Sequence, residues 1–282
     1  METSPLPKFS FLKQQFGIHE VSMIGSFVRG AGEVTISWSR PFIEMTSISG
    51  QTLRAFLRFS FLNPAVFRSL VRQVHASSVQ ALPGIFIAAL ILGSITVHFL
   101  LSILTGLGAY DKIGEYLIYS MLHEIAPITC TILLMFRSGT AVISEISIMR
   151  IHKELDTLDM LGIHRRDYVF LPRVLAFAFA GPSLTFTFSL VALFGGFLIL
   201  GYFQDITFDN YKDQILYALD LQSIFVLLAK PFFMAAGIAV MAIQRGLTVR
   251  KTFAEVPGKL IQGLMSTVSL IILVEIVFIL FT

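Results

Sequence analysis

Residues 174–202 read VLAFAFAGPSLTFTFSLVALFGGFLILGY, a run of 29 residues that contains no charged side chain. A helix needs about 20 apolar residues to cross the hydrocarbon core of a bilayer, which is roughly 30 Å thick. In a soluble domain a run of this length would expose much apolar surface to water. Residues 174–202 therefore predict a membrane-spanning helix.

Four further runs are long enough to span a bilayer: residues 82–104, 117–143, 224–243 and 264–281. Backbone inside a bilayer must satisfy its own hydrogen bonds, and these runs lack the polar alternation of barrel strands. Charged residues make up only 14% of the chain, against roughly 25% in an ordinary globular protein. The sequence predicts an all-α, polytopic membrane protein with five transmembrane helices.

The distribution of the 21 Lys and Arg residues predicts the orientation of these spans. Eight precede the first span, one lies between spans one and two, six lie in the stretch from Arg137 to Arg173, one lies between spans three and four, and four lie in the segment from Arg245 to Lys259. Loops rich in Lys and Arg stay on the cytoplasmic side of a membrane. The N-terminus is therefore predicted to be cytoplasmic and the C-terminus exoplasmic, with the remaining cation, Lys230, inside span four.

Residues 1–80 are not predicted to span the membrane, because charged residues interrupt each apolar stretch. Asn63 followed by Pro64 predicts a helix start, with Asn as the N-cap and Pro in the first turn. The helix that follows is amphipathic, with an apolar face formed by Val66, Phe67, Leu70, Val71 and Val74. We expect helices that lie on the membrane surface; a small soluble subdomain is the alternative.

Glu124 is a carboxylate inside the second apolar run, with Pro127 three residues later. A charge in a span costs at least a few kcal/mol unless it faces a cavity or a partner. Proline frees a backbone carbonyl one turn earlier and kinks the helix. The pair predicts a substrate pocket in span two; local pairing near the interface is the alternative.

Two more ionisable residues lie in the spans, Lys230 in span four and Glu275 in span five. Both are similar in kind to Glu124. For Lys230, whose position is near the start of its span, we expect the long side chain to extend outward to the interface.

The segment at about residues 144–162 is too polar to span the membrane, yet its apolar residues recur every three or four positions. It predicts a cytoplasmic amphipathic helix that Gly162 ends. A membrane subunit could use such a helix to dock a soluble motor, although an ordinary interfacial helix would show the same pattern.

Motifs for other functions are absent from the sequence. No phosphate-binding G-x-x-x-x-G-K-[ST] loop occurs, so ATP chemistry would belong to another chain. His123-Glu124 begins like a zinc-protease motif, but Pro127 stands where the second His is needed. We therefore expect no metal and no cofactor bound by this chain.

Around these residues the sequence resembles the MlaE/YrbE-type permeases of bacterial MCE-associated ABC lipid transporters. The residues that carry the resemblance are Glu124-Ile125-Ala126-Pro127, Arg137-Ser138-Gly139, Glu145-Ile146, Met149-Arg150, Glu154, Asp156, Leu158, Gly162 and Pro172-Arg173. They keep the family spacing without a gap.

The resemblance implies a permease domain over residues 81–282 and a homodimer in the bacterial inner membrane. Two ATPase subunits would bind below it and a hexamer of periplasmic MCE proteins above it. Family members move phospholipid or another hydrophobic molecule between that membrane and the MCE protein. Hydrolysis of ATP would take place on the partner chain.

The resemblance also implies roles for particular residues. Glu124 and Pro127 would belong to the lipid pathway. The ATPase would couple through Glu145, Met149, Arg150, Glu154, Asp156 and Leu158, while the structural positions would be Arg137, Gly139, Gly162, Pro172 and Arg173.

Two other functional classes stay open at this point. An intramembrane lipid-modifying enzyme could use Glu124 with His123 as acid and base, although span three offers no charged residue. A membrane scaffold would need the cytoplasmic helix but not Glu124 and Pro127.

Overall fold

The computed structural model describes residues 46, 48–50, 52, 54–58, 63–108, 112–204, 208–249 and 252–281. Each regular element over these residues is helical, which confirms the all-α class. Over half of the predicted interfacial segment, residues 1–45, lies outside the described residues.

From residue 63 onward the α-helices are α1 (Pro64–Ser77), α2 (Leu82–Gly106), α3 (Ile113–Ile118), α4 (Ala126–Leu134), α5 (Thr140–Ile151), α6 (Glu154–Met160), α7 (Leu171–Gln204), α8 (Phe208–Ala218), α9 (Leu221–Leu247) and α10 (Val256–Phe281). Short 3₁₀ turns cover Val79–Ala81 and Phe253–Glu255, and π-helical turns cover Tyr119–Ile125, Met135–Gly139 and Arg166–Phe170.

Five helical stretches are long and apolar enough to cross a membrane, which confirms the predicted number of spans. They are Pro64–Leu104, Gly114–Ile151, Arg166–Leu198, Leu221–Leu247 and Phe253–Phe281. Each extends beyond its predicted apolar run, because helical hydrogen bonding continues into polar sequence where the membrane interface or the protein satisfies the side chains.

Spans three and four, α7 and α9, form the centre of the bundle, and glycines let their backbones approach closely. A Cβ added at Gly181 on α7 would lie 2.5 Å from the Pro231 carbonyl oxygen on α9. A Cβ added at Gly93 on α2 would lie 2.5 Å from the Ala192 carbonyl oxygen on α7. Small residues at such contacts are typical of helix packing in membranes.

Helix α1 begins as predicted, since the Ala65 amide donates to the Asn63 side-chain oxygen at 3.1 Å. Its apolar face is divided between two environments. Val66 is buried, whereas Phe67 and Val71 are exposed. The apolar stripe is thus wider than the protein surface that covers it, and the uncovered part suits a membrane interface.

Helix α8 lies in the connection between spans three and four. The Tyr211 hydroxyl donates to the Leu193 carbonyl oxygen at 2.9 Å and so fastens α8 to α7. Burial raises the pKa of Tyr211 well above its usual range. Helix α8 also packs closely against α3, because a Cβ added at Gly114 of α3 would lie 2.9 Å from the Gln214 carbonyl oxygen of α8.

The orientation in the membrane stays a prediction with a direct check. A reporter fused after Thr282 is expected to read exoplasmic, and one inserted near Arg165 is expected to read cytoplasmic, because six cations lie in the stretch from Arg137 to Arg173. Paired phosphatase and fluorescent-protein fusions measure both positions. A cytoplasmic C-terminus would contradict the orientation and the transport function proposed below.

Candidate functional site

Lys230 lies in the middle of a cluster of three ionisable side chains from three spans. Its Nζ is 2.6 Å from Glu275 Oε1 and 3.4 Å from Glu124 Oε2. The side chain is only 2% exposed. The expectation that Lys230 extends outward to the interface was therefore wrong, because two carboxylates inside the bundle offer the ammonium a better environment than the interface does.

Pro127 explains why the ammonium also reaches the backbone. A proline has no N–H, so the carbonyl oxygen of His123, four residues earlier, lacks its α-helical donor. Lys230 Nζ fills that position, donating to the His123 carbonyl oxygen at 2.6 Å. The π-helical turn Tyr119–Ile125 precedes the proline, and such turns often mark functional sites.

The charge balance of the cluster is uneven. Two carboxylates face one ammonium, so the three ionised side chains carry one surplus negative charge. Glu124 is the most exposed member, at 33%, and is therefore the member that an incoming molecule meets first.

A recess borders the cluster, and we call it the charged recess. Its lining comes from spans two, four and five: Tyr119, His123, Glu124, Val226, Lys230, Phe278 and Ile279. The polar groups lie at its wall beside two apolar side chains of α10. The recess has a volume of about 30 Å³, room for about two or three waters. It therefore does not enclose a ligand, but presents a charged cluster and an apolar wall side by side to a molecule at its mouth.

His123 connects the charged recess to a second cavity toward the predicted exoplasmic end. Its Nε2 is 3.0 Å from Ser223 Oγ, at the start of α9. The second cavity has a volume of about 230 Å³ and shares Tyr119 and His123 with the recess. Its other lining residues are Glu115, Ile118, Ala218, Asp220, Gln222 and Ser223.

The predicted cytoplasmic helix at about residues 144–162 is broken in two. Helix α5 ends at Ile151, and α6 begins at Glu154 after Lys153, which has a left-handed φ of 58°. Arg150 Nη1 and Asp156 Oδ1 lie 3.4 Å apart across the break. The single continuous helix was thus wrong, because this ion pair and the buried Leu155 hold α6 at a different angle.

The remaining predicted coupling residues lie on both sides of this break. Met149 and Leu158 are half-buried, and Glu154 is exposed with its carboxylate 3.6 Å from His152 Nδ1. Glu145 is directed toward the bundle, where Glu145 Oε2 lies 3.0 Å from Arg173 Nη2. Arg173 also donates to the Val169 carbonyl oxygen at 2.9 Å, so this pair joins span two to span three.

The other predicted structural positions have local roles. Arg137 donates to the Ala76 carbonyl oxygen at 3.3 Å and to Gln80 Oε1 at 3.0 Å, which fastens span two to the end of α1. A Cβ on Gly139 would lie 3.3 Å from Ile238. Gly162 has φ +75° in a helix-ending motif, with Ile163 N donating to Leu158 O. Pro172 directly follows the π-helical turn Arg166–Phe170, inside the helical stretch Arg166–Leu198.

Within the described ranges, no group of three His, Cys, Asp or Glu side chains has the arrangement to hold a metal ion. The cluster around Lys230 is instead held together by a cation supplied by the chain itself.

Comparison with known proteins places this architecture in a family. The family model described as "Permease MlaE" matches residues 70–281, which include the five spans and the charged recess. The chain belongs to the MlaE permease family. The resemblance drawn from the residues around Glu124 is thereby confirmed.

Three relatives illustrate the range of this MlaE family. The intermembrane phospholipid transport system permease protein MlaE of Haemophilus influenzae is 29% identical over 47% of this chain and 51% of its own length. A probable ABC transporter permease protein of Synechocystis is 31% identical over 50% of this chain and 54% of its own. The chloroplastic protein TRIGALACTOSYLDIACYLGLYCEROL 1 of Arabidopsis thaliana is 26% identical over 64% of this chain and 52% of its own. The chain spans about half the length of the curated relatives it matches.

Reasoning from the sequence missed how this MlaE family member assembles the recess. Glu124 was identified, but Lys230 and Ser223 were not assigned to the same site. A usable signal was present, since each of spans two, four and five carries one or two ionisable residues in an apolar run. Intramembrane charges are expected to pair with one another.

Proposed function

We propose that this chain is the permease subunit of an ABC transporter that moves phospholipid, or a similar hydrophobic molecule, between the bacterial inner membrane and a periplasmic MCE protein. The charged recess carries the proposal. A phospholipid has a charged head and apolar tails, and the recess offers Glu124 and Lys230 beside Phe278 and Ile279. The name of the Haemophilus influenzae relative, a phospholipid transport permease, supports the same substrate class.

The proposed assembly is a homodimer with two ATPase subunits and a hexamer of MCE proteins. The names of the relatives as ABC transporter permeases support an ATPase partner. The cytoplasmic elements α5 and α6 support a docking role, because their ends expose Ile148, Met160 and Leu161. The ATPase would hydrolyse ATP, and this chain would form the path for the lipid.

An intramembrane enzyme is less favoured by the geometry of the recess. An acid–base pair must reach the substrate with its polar atoms available. Here His123 Nε2 is engaged by Ser223, and Glu124 is engaged by Lys230. These side chains are arranged to hold one another in place, as a binding wall requires.

Purification of the chain with its native partners tests the proposal. The proposal expects an ABC ATPase, an MCE protein and phospholipid to co-purify in stoichiometric amounts, as identified by mass spectrometry. Recovery of a chain with neither an ATPase nor phospholipid would contradict it.

A charge reversal on the cytoplasmic side tests the coupling role. Arg150→Glu or Asp156→Lys is expected to reduce recovery of the ATPase and its stimulation, while the chain stays folded. The two residues are 38% and 48% exposed, and breaking such a surface pair costs roughly 1 kcal/mol or less. Co-purified ATPase and coupled ATP hydrolysis are the measurements.

The double variant Arg150→Glu with Asp156→Lys separates coupling from local structure, because it restores an ion pair with reversed polarity. Continued loss of the ATPase in the double variant supports a partner that reads these charges. Full recovery of the ATPase would mean that the ion pair only stabilises the turn between α5 and α6, and would contradict the coupling role. The double variant Lys212→Glu with Asp213→Lys, a surface pair on α8, is the matched control.

A further inference from the structure

A second polar cavity lies at the opposite end of the bundle from the charged recess. It is lined by Arg54, Ala55, Arg58, His164, Arg166 and Asp167, and its volume is about 70 Å³. One buried water needs roughly 10–15 Å³ by this measure, so the cavity holds several waters or one small polyatomic anion. We call it the arginine pocket.

The charges of the arginine pocket favour an anion. Three arginines and one aspartate are among its lining residues. Within the described part of the chain, none of the three arginine side chains has a hydrogen bond or ion pair. The neighbouring Arg165, by contrast, pairs with Asp159 at 3.4 Å. Convergent, unpaired guanidinium groups are the usual means by which proteins bind phosphate.

The surroundings of the arginine pocket favour a lipid over a soluble anion. Phe56 and Leu57, between the two arginines in sequence, are 42% and 65% exposed. Tyr168, two residues after Arg166, is exposed as well. Helix α1, with its exposed Phe67 and Val71, packs against the turn Arg166–Phe170 that supplies Arg166. Arginine interleaved with exposed aromatic and aliphatic side chains is the pattern of a membrane interface.

Space for more than a phosphate group is available beside the pocket. A larger cavity of about 210 Å³ shares His164 and Arg166 with it and is completed by Asp159 and Arg165. The phosphate would sit among the three arginines, and the rest of a headgroup would extend into this adjoining cavity.

We propose that Arg54, Arg58 and Arg166 bind the phosphate group of an anionic phospholipid at the membrane surface, on the side predicted to be cytoplasmic. This site is separate from the charged recess and does not depend on the proposed transport function. A chain that transports nothing could still bind lipid here.

The test uses the full chain purified in detergent and a fluorescent phosphatidylglycerol as the probe. Arg166→Gln, and the double variant Arg54→Gln with Arg58→Gln, are expected to weaken binding about tenfold or more, as removal of a charged hydrogen-bond partner does. Arg68→Gln with Arg72→Gln on α1 is the matched control, since both arginines are exposed and lie outside the pocket. The control is expected to bind within about twofold of the wild type. Arg166→Lys, which keeps the charge, is expected to restore part of the affinity.

Three results would overturn the proposal. Equally weakened lipid binding in the control variant, or unchanged lipid binding in the pocket variants, would mean that the basic surface as a whole attracts the probe. Displacement of the probe by inorganic phosphate at the concentration at which unlabelled phosphatidylglycerol displaces it would identify a soluble anion. Loss of ATPase recovery with unchanged lipid affinity would identify a protein contact.

Discussion

Replacing Lys230 with methionine is expected to lower the free energy of unfolding of this protein by about 3–5 kcal/mol, the usual cost of removing one partner from a buried ion pair. The substitution leaves Glu124 and Glu275 facing each other without the ammonium that lies 3.4 Å and 2.6 Å from them. It also removes the donor to the His123 carbonyl oxygen, which Pro127 has deprived of its helical partner. Thermal or SDS-driven unfolding in micelles measures the change.

Neutralising the whole cluster should reverse much of this loss. The triple variant Glu124→Gln, Lys230→Met and Glu275→Gln has no uncompensated charge, and neutral replacements of buried ion clusters are often well tolerated. Lys259→Met is the matched control, because Lys259, near the start of α10, lies outside the cluster and donates to Gln262 Oε1 at 3.4 Å. Wild-type stability in Lys230→Met would mean that the cluster contributes nothing to the fold.

Replacing Glu124 with alanine is expected to reduce lipid transport about tenfold or more, the usual effect of losing one charged hydrogen-bond partner. Glu124 is the exposed carboxylate of the charged recess and contacts both the cavity and Lys230. The proposed dimer and the proposed ATPase contacts are expected to stay intact, because α5 and α6 lie at the other end of span two. Transfer of labelled phospholipid in reconstituted vesicles measures the effect.

A second substitution, Glu124→Gln, separates the role of the charge of this residue from the role of its hydrogen bonding. Glutamine removes the charge of Glu124 but keeps a side-chain oxygen that accepts hydrogen bonds. Normal transport in Glu124→Gln together with lost transport in Glu124→Ala would therefore show that transport requires the hydrogen bonding of this residue and not its charge. Asp213→Asn is the matched control, an exposed carboxylate on α8. Unchanged transport in both Glu124 variants would remove this residue from the mechanism.

The five spans follow from sequence because the length of an apolar run is a local property. No comparable local signal exists for the charged recess, whose partners lie far apart in the chain. Lys230 and Glu124 are separated by 106 residues, and Lys230 and Glu275 by 45. Their pairing depends on how spans two, four and five pack. Because Lys230 lies near the start of its span, its position in the sequence pointed to the membrane interface and not to the interior of the bundle.

The break between α5 and α6 was missed for a different reason. The apolar spacing of Ile148, Ile151, Leu155 and Leu158 continues through the break, so periodicity alone predicts one helix. The break occurs at Lys153, a residue type that seldom adopts a left-handed φ. The ion pair between Arg150 and Asp156 stabilises the turn, and a pair six residues apart is not a helical spacing.

The central claim is that phospholipid passes through the charged recess, and site-specific photocrosslinking tests it most directly. A benzophenone amino acid replaces Phe278, which lines the recess, or Phe179, which is exposed on α7 and does not line it. The assembled complex is extracted into detergent, washed and irradiated before and after turnover of ATP. The account predicts a phospholipid adduct at position 278 that exceeds the adduct at 179 and that changes in yield after turnover of ATP, in either direction. Equal adducts at the two positions, or an adduct at 278 that does not respond to ATP, would contradict it.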